Sequence, residues 1–334
     1  MASEMPDTGR DMESSIEDSR LTWSRTQKDS MPVLGVLIVL YNNKEDLDFL
    51  AQDLTAVQGA VGAVEVHVWD NRSTDGSGAR AAELLGPNAI TFSDENIGFG
   101  PAMNRLAQSC AAPYLLLLNP DCRMTAEAAT ACLQRLQSDA SIGAVSPNIK
   151  NGSTDVLSGG RLLTISNGIK YALFVSRLLG SRFSSANGVF AHSPAGADEI
   201  SLDWLGGTAL FLRRQVFEAV GGFNERWFMY GEDVELGMKI SDLGYRQIML
   251  TGETVEHRGG GSFSKHQGIR TEWIGGIIDV YRLRARSRVR TAIFSFVLGL
   301  GYTLRAVLAG STDESRRRFY LATASRCYRE ARVR

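Results

Sequence analysis

Four acidic residues and one histidine carry most of the chemistry this sequence offers. Asp70 closes the run VEVHVWD, and Asp121 closes LLLLNPD with Asn119 two residues before it. Glu232 and Asp233 are adjacent in YGEDVELG, and His257 sits in VEHRGGGS. A carboxylate with a neighbouring amide oxygen offers hard donors for a divalent cation such as Mg²⁺ or Mn²⁺. An aspartate in the first turn of a helix can project into a cleft and accept a proton there. Each residue also has an ordinary explanation. Asp and Asn favour turns, acidic groups favour helix starts, and a lone histidine is usually a surface or core residue.

What would position these groups is an alternation of strand-like and helix-like runs. VLGVLIVLY from Val33, VEVHVWD, AITFS and YLLLLN read as strands. Between and after them, helices are expected near Lys44–Val57, from Ser73 to about Leu85, near Gly100–Cys110 and over Thr125–Gln137. The first and fourth runs are apolar without a period of two, as expected of parallel strands covered on both faces. Ligands of such sheets bind beyond the carboxyl ends of the strands. Three ends are polar here: Tyr41-Asn42-Asn43, Asp70-Asn71 and Asn119-Pro120-Asp121. Asp70 alone reads as a turn residue; three such ends at one crevice favour a nucleotide-type site. The turn NRSTDGS places Ser73 or Thr74 to cap the following helix. YNNKED after the first strand contains no G-x-G-x-x-G, which argues against a dinucleotide-binding dehydrogenase.

After Gly143 the pattern loosens, and residues 150–200 contain many Gly and Ser. IKYALFVSRLLGSRF within them reads as an inserted helix or a mobile loop. Regularity returns with DWLGGTALFLRRQVFEAVGGF, a strand and a helix, then a helix over Glu232–Leu243. On that helix Leu236, Ile240 and Leu243 share an apolar face, with Glu232 and Glu235 elsewhere. RQIMLTG reads as a strand followed by the loop that holds His257.

The 334 residues, 44% of them hydrophobic, suffice for a sizeable core. With 36 basic and 37 acidic side chains overall, a dedicated nucleic-acid binder is excluded. The four cysteines have no C-x-x-C spacing, so thiols in a reducing compartment are expected. Residues 1–30 are polar and acidic and read as disordered rather than as a signal peptide. No apolar run reaches the roughly 18 residues of a spanning helix, and TAIFSFVLGLGYTL is read as too short. A cytoplasmic protein is expected. The charge is uneven: residues 271–334 hold 13 arginines against 5 acids, leaving +8, so residues 1–270, with 23 basic against 32 acidic, carry −9. The basic tail is either a packed helical subdomain or an interfacial anchor. As an anchor, Ile293, Phe294, Phe296, Val297, Leu298 and Leu300 would enter the lipid boundary, with Arg282–Arg290 and Arg316–Arg318 at anionic headgroups.

Seven segments in one order, VLIVLYNN, VWDNRSTDGS, ENIGFGPAMN, LLLLNPD, LGGTALFLRRQVFEAVGGFNE, YGEDVELGMKISDLGY and VEHRGGGS, span about two-thirds of the chain. In this order they resemble the family 2 glycosyltransferases of the GT-A fold, and among those the bacterial rhamnosyltransferases. The resemblance implies an α/β fold with a mostly parallel, Rossmann-like sheet flanked by helices over 31–265, and a helical extension over 266–334. It implies that Asp70 reads the base of a nucleotide-sugar, beside Leu40, Tyr41 and Asn42. Asp121 matches the metal-binding end of the family's D-x-D, with Asn119 departing from its first aspartate. Asn96, Gly98, Gly100 and Asn104 would lie along the donor. Asp233 would be the catalytic base, with Glu232 orienting the acceptor or supporting that base. His257 would touch metal or diphosphate, assisted by Arg258 and Ser262. Trp204, Gly206 and Gly207 match the acceptor side, though Trp204 reads equally as core. The implied reaction is inverting transfer of a sugar, dTDP-rhamnose being the favoured donor, to a hydroxyl of a lipid-linked or polysaccharide acceptor in surface-glycan synthesis, at the inner face of the membrane. The alternatives are a nucleotidyltransferase acting on sugar phosphates, which lacks its basic Gly-rich loop here, and a non-catalytic sugar- or lipid-binding protein.

Overall fold

The run LGVLIVL forms strand β1 (Leu34–Leu40), buried at every position but Val39 because sheet neighbours and helices cover both of its faces. Strand β2 (Val64–Asp70) pairs with it in parallel and β3 (Ile90–Phe92) pairs with β2, while β4 (Tyr114–Leu118) flanks β1 on the other side. The computed structural model describes residues 31–152, 154–155, 158–174, 189–190, 197–258, 271–310 and 313–332. The expectations for residues 1–30, for the basic-apolar stretch beyond Phe174 and for Ser262 lie outside these residues.

Register decides the site. Leu40 lies opposite Asp70 and Leu37 opposite Leu117, so the chain leaves all three strands at one edge. Helices α1 (Leu47–Val61), α2 (Ser77–Leu85) and α4 (Ala126–Ser138) cover one face of the sheet. Helix α3 (Phe99–Ser109) covers the other, with α6 (Arg214–Ala219) and α7 (Glu232–Asp242).

The second half departs from simple parallel winding. Strand β6 (Ile142–Asn151) runs where the sequence seemed to loosen, and its first eight residues are buried. Gly143, Ser146, Pro147 and Asn148 interrupt its apolar pattern, which is why the sequence alone marks no strand there. The sheet accepts Pro147 where its partner β12 (Arg246–His257) bulges, between Leu250 and Thr254. Strand β11 (Ala209–Arg213) lies antiparallel between β4 and β6, so the sheet order is β3-β2-β1-β4-β11-β6-β12-β5, β5 being Cys122–Arg123. The short β7 (Thr154–Asp155) and β9 (Glu199–Leu202) pair with β6 and β12, and β8 (Gly159–Gly160) with β10 (Trp204–Leu205) forms a separate ribbon. The result is a mixed, mostly parallel GT-A-like sheet. β12 is longer than RQIMLTG suggested, and His257 is its last residue rather than part of a loop.

Two helix expectations also change. α2 begins at Ser77 behind Gly76, and neither Ser73 nor Thr74 caps it. Those residues are used to tie loops together, as described below. On α7, Leu243 is 51% exposed, whereas Glu232 and Glu235 are 4% and 5% exposed, so the helix buries two of its acids.

Four helices complete the molecule: α5 (Ile165–Ala172), α8 (Glu272–Ala285), α9 (Arg288–Ala309) and α10 (Glu314–Arg332). Ile274, Ile278, Phe294, Leu298, Tyr302 and Cys327 share one apolar cluster with Trp204, Trp227, Val234 and Met238. This corrects the anchor expectation for two of its residues, since Phe294 and Leu298 are fully buried core residues, whereas Ile293, Phe296 and Leu300 are exposed. It also corrects the length expectation. Ser287 caps a helix of 22 residues that continues through Gly299, Gly301 and Thr303. By length and mean hydropathy (1.7 over 18 residues) α9 is sufficient to cross a membrane, although 39% of that window is packed inside the protein.

Arg213, at the end of β11, closes the sheet onto α4. Its guanidinium donates to the carbonyls of Ile142 (2.8 Å), Asp139 (3.0 Å) and Leu136, neutralising the negative end of that helix. Replacing it by Met leaves three carbonyls without their charged donor. Arg213→Met is therefore expected to lower stability by about 3 kcal/mol, read from the urea midpoint at unchanged m-value.

Candidate active site

A cleft of about 270 Å³ opens at the edge where β1, β2 and β4 end. Val39, Tyr41, Asn43 and Asn71 line one side, with Asn96 and Gly98 from the loop before α3. Asn119, Pro120 and Asp121 line it after β4. Gly207, Thr208, Met229, Tyr230, Glu232, Asp233 and His257 complete the wall.

The strand-end loops are locked to one another by side chains. Asn42 turns left-handed (φ 59°) and presents its backbone N–H to Ser73 Oγ at 3.0 Å, while its Oδ1 accepts the Thr74 N–H at 2.8 Å. Asn and Gly tolerate this conformation better than other residues. Asn43 N–H donates to Ser77 Oγ at 2.8 Å. The NRSTDG turn thus joins the ends of β1 and β2, which is why its hydroxyls are not available as helix caps. Asp70 lies beneath this turn, 5% exposed, with Oδ1 accepting the Ser73 N–H at 3.1 Å.

Asn71 performs a second join. Its Oδ1 accepts the Trp69 indole N–H and the Ile97 N–H, each at 3.1 Å, and its Nδ2 donates to Gly98 O at 3.0 Å. Gly98 has φ +88°, and a Cβ there would fall 2.4 Å from Phe228 O. Only glycine fits both demands. The next amide, Phe99 N–H, donates to that same carbonyl at 3.0 Å. One turn further along α3, Asn104 receives the Phe223 N–H (2.9 Å) and donates back to Phe223 O (2.9 Å) and to Glu225 (3.0 Å). Gly100 packs against Phe223 and Glu232. The glycine-rich segment is therefore a clamp on residues 222–232.

Asp121 and His257 meet because β5 pairs with the end of β12, His257 opposite Cys122. His257 Nε2 lies 3.0 Å from Asp121 Oδ1. Two cis ligands at about 2.1 Å from an octahedral cation are separated by about 3.0 Å, so this carboxylate–imidazole pair, with Asn119 beside it, fits a divalent ion. Behind it stands Asp46, whose carboxyl is pushed up by burial and by the charge of Asp121, against an opposing hydrogen bond from Asn43.

Glu232 and Asp233 start α7 after Tyr230 (φ 69°) and Gly231 (φ 110°). Asp233 Oδ2 accepts the Gly207 N–H at 3.3 Å and Oδ1 the Val234 N–H at 2.8 Å. Glu232 Oε2 is buried with no hydrogen-bond partner. Burial raises both carboxyls. For Glu232, burial and then the neighbouring Asp233 charge push it up to about 8, while backbone N–H groups oppose the rise of Asp233. Both shifts favour a proton retained on this pair of adjacent buried carboxyls.

Of the residues expected from sequence, Tyr41, Asn96, Gly98, Asn119, Asp121, Gly207, Glu232, Asp233 and His257 line the cleft. Leu40, Asn42, Asp70, Gly100, Asn104 and Gly206 lie behind them. Trp204 is 4% exposed and packs edge-on to Phe190 (ring centroids 6.2 Å apart) in the apolar cluster, away from the cleft. Asn43 and Asn71 also line the cleft and belong to the polar strand ends, though no motif singles them out from their neighbours. Val39, Phe99, Thr208, Met229 and Tyr230 carried no type or spacing that singled them out.

The family description "Glycosyl transferase family 2" matches residues 35–187, and "Glycosyl transferase family group 2" matches residues 167–323. This chain is a family 2 glycosyltransferase. Over 238 residues, 67% of this glycosyltransferase and 76% of the relative, it is 28% identical to N-acetylglucosaminyl-diphospho-decaprenol L-rhamnosyltransferase of Mycobacterium tuberculosis. Its fold resembles the mannosyltransferase PcManGT of Pyrobaculum calidifontis (TM-score 0.55, 14% identity, 97% of this chain and 98% of that one). It also resembles GalNAc-T7 (TM-score 0.52, 12% identity, 94% and 63%). Both likenesses concern the fold, which is GT-A.

The raised Glu232 carboxyl has a consequence for this glycosyltransferase that titration can measure. Between its ordinary value near 4.5 and about 8, the folded chain holds a proton that the unfolded chain releases. Stability from this group therefore falls as pH rises through that window and is level above it. Glu232→Gln removes the effect. Its unfolding midpoint, relative to the wild type, is expected to climb from pH 5 to pH 8 and then plateau; a pH-independent difference would place the proton elsewhere.

Proposed function

We propose that the chain transfers a sugar, with inversion, from a nucleotide-sugar to a hydroxyl of a lipid-linked glycan acceptor at the inner face of a membrane, in surface-glycan synthesis. dTDP-rhamnose is the favoured donor. The observation that carries this reading is the meeting, in one cleft at the strand ends, of a cation-type pair, Asp121 and His257, with two adjacent buried carboxyls, Glu232 and Asp233, whose affinity for protons is raised. The choice of sugar and acceptor is supported by the mycobacterial relative, whose name describes rhamnosyl transfer to a decaprenyl-diphosphate-linked sugar.

Asp233 is the base in this mechanism. It takes the acceptor hydroxyl proton as that oxygen attacks the anomeric carbon and the bond to the diphosphate breaks. The Gly207 and Val234 amides aim its carboxylate, and its raised affinity for protons suits the transfer. Protonated Glu232 keeps a second negative charge out of the cleft and orients the acceptor. The turn that fastens Tyr41 and Asn42 to Asp70 places the base-binding edge. Asp121 and His257, with Asn119, would hold Mn²⁺ or Mg²⁺, and Mn²⁺ accompanies the nucleotide ligands in both structural neighbours. A bound cation supplies positive charge for the departing diphosphate.

Screening nucleotide-sugars for protection against thermal unfolding, with and without Mn²⁺, tests the donor assignment, and dTDP-rhamnose should give the largest shift. Asp233→Asn is expected to lower kcat about 10³-fold while leaving the donor dissociation constant unchanged; appreciable turnover would move the base to Glu232. Asp121→Ala should weaken donor binding far more in Mn²⁺ than in EDTA. Equal losses in the two conditions would make Asp121 a structural residue.

A further inference from the structure

One face of α9 is apolar from end to end and, among the described residues, is touched only at its margin, where Phe296 meets Tyr328 of α10 (ring centroids 5.7 Å apart). Val289, Ile293, Phe296, Leu300, Leu304 and Val307 recur at i, i+4, i+7, i+11, i+15 and i+18, and each is between 39% and 70% exposed. At 100° per residue they fall within an arc of about 80° and form a ridge about 27 Å long. The opposite face, with Phe294, Leu298 and Tyr302 no more than 2% exposed, is packed into the core. α5 extends the ridge sideways. It lies against α9 through Gly168 and Ala172 and exposes Ile169 (42%) and Leu173 (56%).

The charges around this ridge are misplaced for a helix facing water. Arg286, Arg288 and Arg290 precede or enter the first turn of α9, where the macrodipole is positive, and no acidic residue accompanies them there. All three are exposed, and among the described residues none makes an ion pair. Arg317 stands just beyond the other end, at the start of α10, between Arg316 and Arg318, which pair with Asp313 and Glu314. The guanidinium groups of Arg286, Arg288 and Arg290, beside an apolar ridge and arranged against the helix dipole, lack an anionic layer in the same plane as an apolar one. A bilayer containing anionic lipids supplies both.

We propose that the α9 ridge, widened by α5, is the surface on which this protein lies on an anionic membrane, with α9 parallel to the bilayer plane. An in-plane pose follows from the packing, since only one face of α9 is free, and Arg305 is held on its protein side by stacking on Tyr171 (3.9 Å). The docked face is continuous with the catalytic turn through α8. Gly276 meets Tyr230 O so closely that a Cβ would fall at 2.3 Å, and Asp279 receives the Trp227 indole N–H at 3.1 Å. This deepens the lipid-linked-acceptor reading and rests on it for its purpose, but the docking itself stands on α9 alone.

The test is co-sedimentation of the full chain with phosphatidylcholine vesicles and with vesicles containing phosphatidylglycerol, at low and high salt. Binding is expected to the anionic vesicles only, weakened at least tenfold by high salt. The double variant Phe296→Asp/Leu300→Asp and the triple variant Arg286→Gln/Arg288→Gln/Arg290→Gln should each lose at least tenfold in binding, with unchanged thermal midpoint and nucleotide-sugar protection. Undiminished binding by either variant, or none by the wild type, overturns the proposal. So does a wild-type dimer that Phe296→Asp/Leu300→Asp dissociates, because a second copy would then cover the ridge. Donor protection measured on the same samples reports on the sugar-transfer reading independently of the vesicle result.

Discussion

The cleft depends on one backbone contact, that of Gly98 with the carbonyl of Phe228. The loop before α3 and the turn before α7 are about 130 residues apart in the sequence that lines the cleft. They touch closely enough that any side chain at residue 98 would collide, and the Phe99 amide bonds the same carbonyl. From that point the order propagates both ways. Asn71 fixes the Gly98 loop to the end of β2, and Asn104 fixes residues 223–225 to α3. The acid pair on α7 is thereby held at a set distance from the strand ends, which is the requirement for bringing two substrates into register.

Much of this was legible because residue type and geometry agreed. Apolar strands ending in Asn and Asp marked the ligand edge, and register placed those ends together. The helix beginning at Glu232 was visible from its acidic first turn. What escaped was decided by tertiary partners. β6 contains Gly, Ser, Pro and Asn, and only the bulge in β12 makes that run acceptable as a strand. His257 was expected in a loop because the same bulge interrupts the apolar pattern of β12. The resemblance implies that Asn104 lies along the donor, yet it spends its amide on Phe223, since no sequence rule says which side of α3 meets the 222–232 segment. α9 was underestimated because Gly and Thr break an apolar run on paper without breaking a helix packed against α10.

The distribution of carboxylates also follows from the fold. Asp46, Asp121, Glu232 and Asp233 are all drawn toward one edge of the sheet, where burial raises Asp46, Glu232 and Asp233 and neighbouring negative charge adds to the rise of Asp46 and Glu232. Such crowding is unfavourable in an empty cleft and becomes favourable when a cation and a proton are shared among the acids. A cation held by Asp121 and His257, as proposed, would offset part of this crowding.

The seam between Tyr230 and Gly276 has a consequence for cooperativity. Trp227, Val234 and Met238 share their apolar cluster with Ile274, Ile278 and Cys327, so the C-terminal helices and the catalytic turn have no separate cores. Opening the helices would strip solvent protection from the base of α7 in the same event. Amide exchange in α7, α8 and α10 should accordingly proceed as a single foldon, and a chain ending before Thr271 would not contain a self-sufficient catalytic half.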